Sequence, residues 1–408
     1  MIRFDQAFGP KQGDLSNMDF EFTEEQRMVQ RNVRQFMVRE IEPVAEKIDR
    51  EDEFPPGLWK KLGDLGLLGV TVSEEHGGSG FDLLTAVLVL EQMARTCPAI
   101  ALSYGAHSNL CTDNIQRNGS EAQKCTYLPG LCSGDLIGCL ALTEPNAGSD
   151  AVGIRTTAVR DGDDFLLNGT KMFITNAPIG HVFLTYAKTE PEKRARGITA
   201  FVVEREFPGL TLSRKIEKMG NRGSPTGEIV FESCRVPSGN VVGEVNNGIS
   251  VMMSGLDVER AFFAGQPLGL AEGAFELALK YATEREQFGK PICQFQMIKA
   301  KLADMYTEIE AARGLVYRAA VMAGKAHTGG RGKEVHKVAA AAILFAAETA
   351  TRVCNQAVQI HGGYGYTLEF PVNRFYRDTK LYEIGAGTSE IRRLVIADEL
   401  VGSGPGYL

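Results

Sequence analysis

Residues 374–393 read RFYRDTKLYEIGAGTSEIRR and follow a glycine-rich element, HGGYGY, at 361–366. Two stretches with helical periodicity are separated here by backbone that side chains do not crowd. In Ile384-Gly385-Ala386-Gly387-Thr388, three small residues in a row let a flat ligand or a phosphate approach the main chain, and Thr388 or Ser389 stands where it can cap the next helix. A plain turn between helices would use the same residues. The spacing therefore nominates a site without deciding it.

Outward from this stretch, the chain has 408 residues, 44% hydrophobic and 23% charged, a globular composition with enough length for two or three domains. A net charge of -7 and the even spread of Lys and Arg argue against a nucleic-acid binder and against a membrane-surface protein. The eight cysteines have no CxxC spacing, which fits reduced thiols in a cytoplasm-like compartment, a bacterial cytoplasm or a mitochondrial matrix. No HExxH or Cys/His cluster points to a metal. The N-terminal MIRFDQAFGPKQGDLSN lacks an apolar core and reads as a loose arm over 1–18. The longest uninterrupted apolar run, Val338 to Ala347, falls short of the roughly 20 residues a bilayer span needs, so no membrane insertion is expected.

In chain order, Thr23 to about Lys47 is an amphipathic helix with a capping box at Thr23 and Gln26, and helices follow near Gly57–Leu67, Asp82–Arg95 and Ala101–Gln116. These make an all-helical N-terminal domain over 19–134. From about Asp135 the pattern turns to short strands, including an expected hairpin with Asn168-Gly169 as its turn, and His181–Lys188, Gly197–Glu204, Leu210–Ser213 and Glu228–Glu232 continue it. A small β-barrel or sandwich over 135–246 fits. Over 247–408 the long periodic segments Ile249–Arg285, Phe295–Lys325 and Lys333–Ile360 read as an antiparallel helical bundle. The expected class is α+β.

Several motifs join the opening stretch in resembling one family. RDTKLYEIGAGTSEIRR with GGYGY, the loop LTEPNAGSD at 142–150, FITN at 173–176 and REQFGK at 285–290 are similar to the acyl-CoA dehydrogenases, most of all to the isovaleryl-CoA dehydrogenase branch. The likeness runs from about Met18 to Leu400. It implies a central β-barrel domain between helical domains, a C-terminal four-helix bundle, a homotetramer, and FAD as cofactor. By the same resemblance the cofactor is held by Leu140, Leu142, Thr143, Gly148, Ser149, Phe173, Ile174, Thr175, Arg285, Phe288, Gln296, His361, Gly362, Gly363, Tyr364, Gly365, Thr388 and Glu390. Arg285 and Gln296 would serve a flavin held mainly by a neighbouring subunit, and a guanidinium suits a pyrophosphate.

The implied reaction is α,β-dehydrogenation of an acyl-CoA, with electrons passed to electron-transfer flavoprotein. Most relatives carry the catalytic glutamate directly before the Gly-Thr of the turn, where this chain has Ala386. The isovaleryl-like branch places it on an earlier helix, and the matching residue is Glu259. Its helical neighbours Gly255, Leu256, Phe262 and Phe263 are apolar, and burial beside them would raise the carboxyl's pKa into the range a general base needs. Ser149, Leu102, Ala106, Asp257, Arg260, Tyr382, Gly385 and Ala386 match substrate-contacting positions. Leu102, Ala106, Tyr382 and Gly385 favour a short branched or bulky acyl chain. The absence of an Arg from Ser103 to Asn109 disfavours a second carboxylate. Ala261-Phe262-Phe263 and Ser250 depart from the branch, so a cyclic, aryl or terpenoid acyl group stays open, and a flavin oxidase or monooxygenase on the same fold is a separate alternative. Amino acid or fatty acid catabolism is the implied context.

Overall fold

The computed structural model describes residues 21–213, 215–326 and 333–402. The arm expected over 1–18 and the tail beyond Gly402 lie outside them. Thr23 and Gln26 exchange backbone and side-chain hydrogen bonds, both 3.1 Å, and so open α1 (Glu24–Phe36) as the capping-box spacing predicts. The single helix expected to Lys47 instead passes through a π turn at Met37–Ile41 and a 3-10 turn at Glu42–Val44, where Pro43 removes a donor, before α2 (Ala45–Glu51). Next come α3 (Leu58–Asp64), α4 (Leu83–Thr96), α5 (Pro98–Gly105), a π-helical run at Ala106–Asp113, α6 (Asn114–Asn118) and α7 (Glu121–Ser133).

Eight strands form the middle sheet: β1 (Gly138–Ala141), β2 (Thr157–Asp161), β3 (Asp164–Thr175), β4 (Val182–Lys188), β5 (Ile198–Glu204), β6 (Leu210–Leu212), β7 (Thr226–Pro237) and β8 (Val241–Val242). Their order is β6-β7-β3-β2-β4-β5-β8, with β1 parallel to β4. In a flat sheet β3 and β5 would stand about 14 Å apart, at roughly 4.8 Å per strand. Yet Phe165 on β3 and Phe201 on β5 meet edge to face at 5.3 Å, so the sheet curls around a filled interior. Its end strands β6 and β8 do not pair, which leaves the barrel open there.

The expected hairpin at Asn168-Gly169 is absent, because β3 runs straight through both residues as one strand of 12. The ladder to β7 slips between Leu167 and Gly169, and Asn168 Oδ1 fills the bulge by accepting from Ser233 N at 2.8 Å. Glycine is required at 169 for close approach: a Cβ there would lie 2.5 Å from Thr156 Oγ1.

The last third contains α8 (Gly248–Phe263), α9 (Gly265–Glu284), a short hairpin of β9 (Glu286–Gln287) and β10 (Lys290–Pro291), α10 (Gln296–Ala326), α11 (Lys333–His361), α12 (Val372–Thr379) and α13 (Ser389–Val401). One continuous apolar cluster joins these helices to α1, α4 and α5. Gly269 and Gly273 on α9 let α4 pack backbone to backbone, since a Cβ at either would sit 2.0 Å from Glu91 O or 2.3 Å from Arg95 O. The helix at 334–366 is long and apolar enough to cross a membrane by length and composition, which the shorter run at Val338–Ala347 did not show. Its apolar side is instead turned into the bundle, where Ala339, Ile343, Ala346, Ala350 and Val353 are buried.

Candidate active site

β1 ends in the loop carrying Leu142, Thr143 and Glu144. A buried lysine on β3 fixes this loop: Lys171 Nζ donates to Leu142 O at 3.1 Å and to Glu144 Oε1 at 2.7 Å. Burial alone would raise the Glu144 carboxyl, but Lys171, Thr156 and the Arg155 N–H outweigh it and hold it below the usual range. Burial in turn lowers Lys171 to about 8. Met172 N–H donates to Thr143 O at 2.8 Å and stitches the loop to β3, while Gly148 and Ser149 stand exposed beyond it.

The β3 ladder slips again between Lys171 and Ile174, and Phe173 takes a left-handed φ of 60°. That bulge turns the Phe173 ring outward, 61% exposed, with Thr175 half-buried nearby in the chain. A large aromatic held out in a strained backbone conformation fits a surface for a flat ring. Ile174 points the other way, into the sheet core, so its side chain acts by packing.

Glu259 lies on α8 and lines a cavity of about 20 Å³ with Leu140, Leu142, Tyr186, Met252, Leu256 and Arg117. Although the residue shows an edge to solvent, burial of the carboxyl raises its pKa from 4.5 to about 7, with Arg260, Arg117 and Arg392 pulling back toward the ionised form. The shift is in the direction that a general base working near neutral pH needs. Asp257 and Arg260 turn elsewhere. His336 Nδ1 on α11 bonds Asp257 Oδ1 and lies 3.3 Å from Arg260 Nη1; it can donate to the first or accept from the second, not both at once.

The turn at 384–388 shows why its small residues matter. Ala386 has φ 55° and Gly387 φ 86°. The strained turn is held from beneath by Arg392, which is fully buried and donates to Tyr382 O and Gly385 O, both at 2.7 Å. Among the described residues the Ala386 N–H has no hydrogen-bond partner, so it is free to donate to a ligand oxygen. Thr388 caps α13 by accepting from Ile391 N at 3.3 Å, and Glu390 is exposed in its first turn. Tyr382 is buried, its hydroxyl donating to Asn221 Oδ1 at 2.9 Å. Leu102 and Ala106 lie on the α5 segment and its π-helical continuation.

A second group gathers around the β9–β10 hairpin. The Arg285 guanidinium lies 5.6 Å from the Tyr364 ring centre and has no carboxylate partner among the described residues, and Phe288 is 94% exposed. Gln296 is exposed at the start of α10. Gly362 and Gly363 present open backbone, whereas Gly365 is buried against Val358 O. His361 stacks on Tyr281 at 4.2 Å and bonds Ala357 O through Nδ1, so it packs behind the exposed glycines. An unpaired guanidinium beside open backbone suits a phosphate group, and the outward Phe173 with Thr143 and Ser149 suits a flavin ring.

The chain matches family descriptions of the acyl-CoA dehydrogenase N-terminal domain over 23–135, middle domain over 139–234 and C-terminal domain over 246–401. It belongs to the acyl-CoA dehydrogenase family. It is 48% identical to the mitochondrial isovaleryl-CoA dehydrogenase of Pongo abelii over 92% of this chain and 88% of that one. It is 46% identical to the mitochondrial 2-methylacyl-CoA dehydrogenase of Solanum tuberosum, over 92% and 90%. The butyryl-CoA dehydrogenase of Megasphaera elsdenii superposes with a TM-score of 0.91 at 39% identity, covering 94% of this chain and all of that one. This acyl-CoA dehydrogenase is accordingly a flavin-dependent oxidoreductase.

Sequence reasoning missed Lys171, Arg392, Arg117 and His336. Lys171 carried one signal, a cation inside a largely apolar strand, whereas Arg392 lies beside Arg393 in a mixed helix and carried none. Arg117 and His336 look like ordinary helix-surface residues until the tertiary packing brings α6 and α11 against α8.

Proposed function

We propose that this chain dehydrogenates a short branched or bulky acyl-CoA to its 2-enoyl-CoA with non-covalent FAD as cofactor, Glu259 as base, and electron-transfer flavoprotein as the final acceptor. The carrying observation is a carboxyl raised to about 7 in a cavity, under the charge of the same Arg392 that bonds Gly385 O next to Ala386. Glu259 removes the α proton. Bound FAD supplies the acceptor for the β hydrogen, which leaves as hydride. The α proton is too weakly acidic for an unaided carboxylate, so the developing enolate oxygen requires donors, and the free Ala386 N–H on its strained turn is one. Arg392 keeps that donor in place by anchoring the carbonyls on either side of Ile384.

Substrate size is read from the two aromatic residues one turn beyond the base on α8. Phe262 and Phe263 are buried and fill the space between α8 and α5, where the Phe263 ring comes within 2.8 Å of a Cβ placed at Gly105. Two aromatic rings there favour a short chain over a long one, and the relatives named for isovaleryl-CoA and 2-methylacyl-CoA support a branch. The second group, around Arg285, Phe288 and Gln296, supports a homotetramer in which these residues serve a neighbouring subunit's flavin. The test is turnover of purified enzyme with isovaleryl-, 2-methylbutyryl-, butyryl-, cyclic and aryl-CoA thioesters and an artificial acceptor. The highest kcat/KM is expected for a branched five-carbon acyl group. A preference for long straight chains would overturn the size argument, and rapid reoxidation of the reduced enzyme by air would favour an oxidase.

A further inference from the structure

Two charged residues line the cavity beside α8, Glu259 and Arg117. Arg117 reaches there from α6 with its guanidinium fixed on two sides. Its Nε donates to Asp113 Oδ2 at 2.6 Å and its Nη1 to Ser254 O at 2.9 Å, while Asp113 is itself held by Thr71 Oγ1 at 2.7 Å. The remaining nitrogen, Nη2, makes no hydrogen bond with the described residues. It lies 3.8 Å from where a Cβ at Gly255 would be, in contact range of this face of α8. Glu259 follows Gly255 by one helical turn on the same face. Asn109, 3% exposed and with no side-chain hydrogen bond among the described residues, lines the same cavity.

We propose that Arg117 is a positioning residue of the reaction: held by Asp113 and Ser254, its guanidinium keeps the Glu259 carboxylate ionised and turned into the cavity that meets the acyl group. This rests on the reading of Glu259 as the base. Arg260 and Arg392 also pull Glu259 toward the ionised form, Arg260 more than Arg117, but neither lines the cavity. Arg392 on α13 is bonded to Tyr382 O and Gly385 O, and Arg260 on α8 faces Asp257 and His336 of α11. Tyr186 from β4, the remaining titratable group lining the cavity, has its hydroxyl pushed up by burial and stays neutral. Arg117 is thus the cation that shares the cavity with the base.

The test compares Arg117→Met, Arg117→Gln and Arg117→Lys as FAD-loaded enzymes in single-turnover flavin reduction across a pH series. Wild-type rate should rise through a midpoint near 7, where Glu259 ionises. Loss of an opposite charge at this range moves a carboxyl up by about one pH unit, so the Met and Gln variants should be about fivefold slower at neutral pH and recover above about pH 9. Arg117→Lys should keep a midpoint close to wild type. A residue that only braced the helix would lower the rate at every pH and leave the midpoint in place, and that result overturns the proposal. A second readout is independent of turnover: infrared titration of the protonated carboxyl, identified by its loss in Glu259→Gln, should show the same upward shift. If Glu259→Gln reduces flavin at the wild-type rate, the assignment of the base fails, while the infrared titration still decides whether Arg117 governs this carboxyl.

Discussion

Glu259→Gln keeps the shape of the side chain and removes both its charge and its basicity, and the structure sets two opposite consequences for it. Raising a carboxyl from 4.5 to about 7 by burial means that the folded state binds more protons than the unfolded state between those values. Stability is then full below the unfolded pKa and is lost as pH rises through about 7. At about 1.4 kcal/mol per pH unit, the ionised carboxylate costs the fold no more than about 3.5 kcal/mol, and Gln removes that cost. Chemical denaturation at pH 8 should therefore find Glu259→Gln more stable than wild type, with the difference vanishing at pH 4. Turnover should fall by on the order of 10²- to 10⁴-fold, the usual worth of a positioned general base. FAD content and acyl-CoA binding should survive. In stopped-flow reduction, wild type should show a midpoint near 7 and the variant a flat, slow profile. A variant that reduces its flavin at the wild-type rate, or that is less stable than wild type at pH 8, would refute the reasoning.

Three further outcomes are expected. Ala386→Glu in the Glu259→Gln background should recover part of the activity, measured as flavin reduction by the best substrate, because Arg392 links the two positions: it bonds Gly385 O and its charge acts on Glu259. Lys171→Met should destabilise the protein by about 3–5 kcal/mol in urea melts, since it leaves the Glu144 carboxylate buried without its partner, and Glu144→Gln added to it should restore some of the loss. Arg285→Ala should release FAD on gel filtration while apo-protein stability stays within about 0.5 kcal/mol of wild type, because the side chain is exposed and has no carboxylate partner among the described residues. Unchanged FAD retention would remove Arg285 from the cofactor site.

How far the sequence reached depends on whether a feature is local. Thr23 with Gln26 and Thr388 before α13 were legible because a cap is a contact between residues three apart. Helices α4, α10 and α11 followed from periodicity, and the family followed from contiguous motifs. Asn168-Gly169 misled for the same reason: the dipeptide prefers a turn locally, but β7 on one side and Thr156 on the other made a bulge within a long strand the better solution. Glu259 was nominated by its apolar neighbours on one helix, yet its shift to about 7 needs the walls that β1, β4 and the helices around Arg117 supply. The sequence by itself determined the family and most of the element types, because each is written in contiguous residues, and it nominated Glu259 in place of position 386. Only the tertiary structure decided that Arg117 shares a cavity with Glu259, that Arg392 holds the strained turn at Ala386, and that Gly269 and Gly273 join the first and last helical regions in one core. These are contacts between residues far apart in the chain, and their energies exist only once burial has brought the partners together.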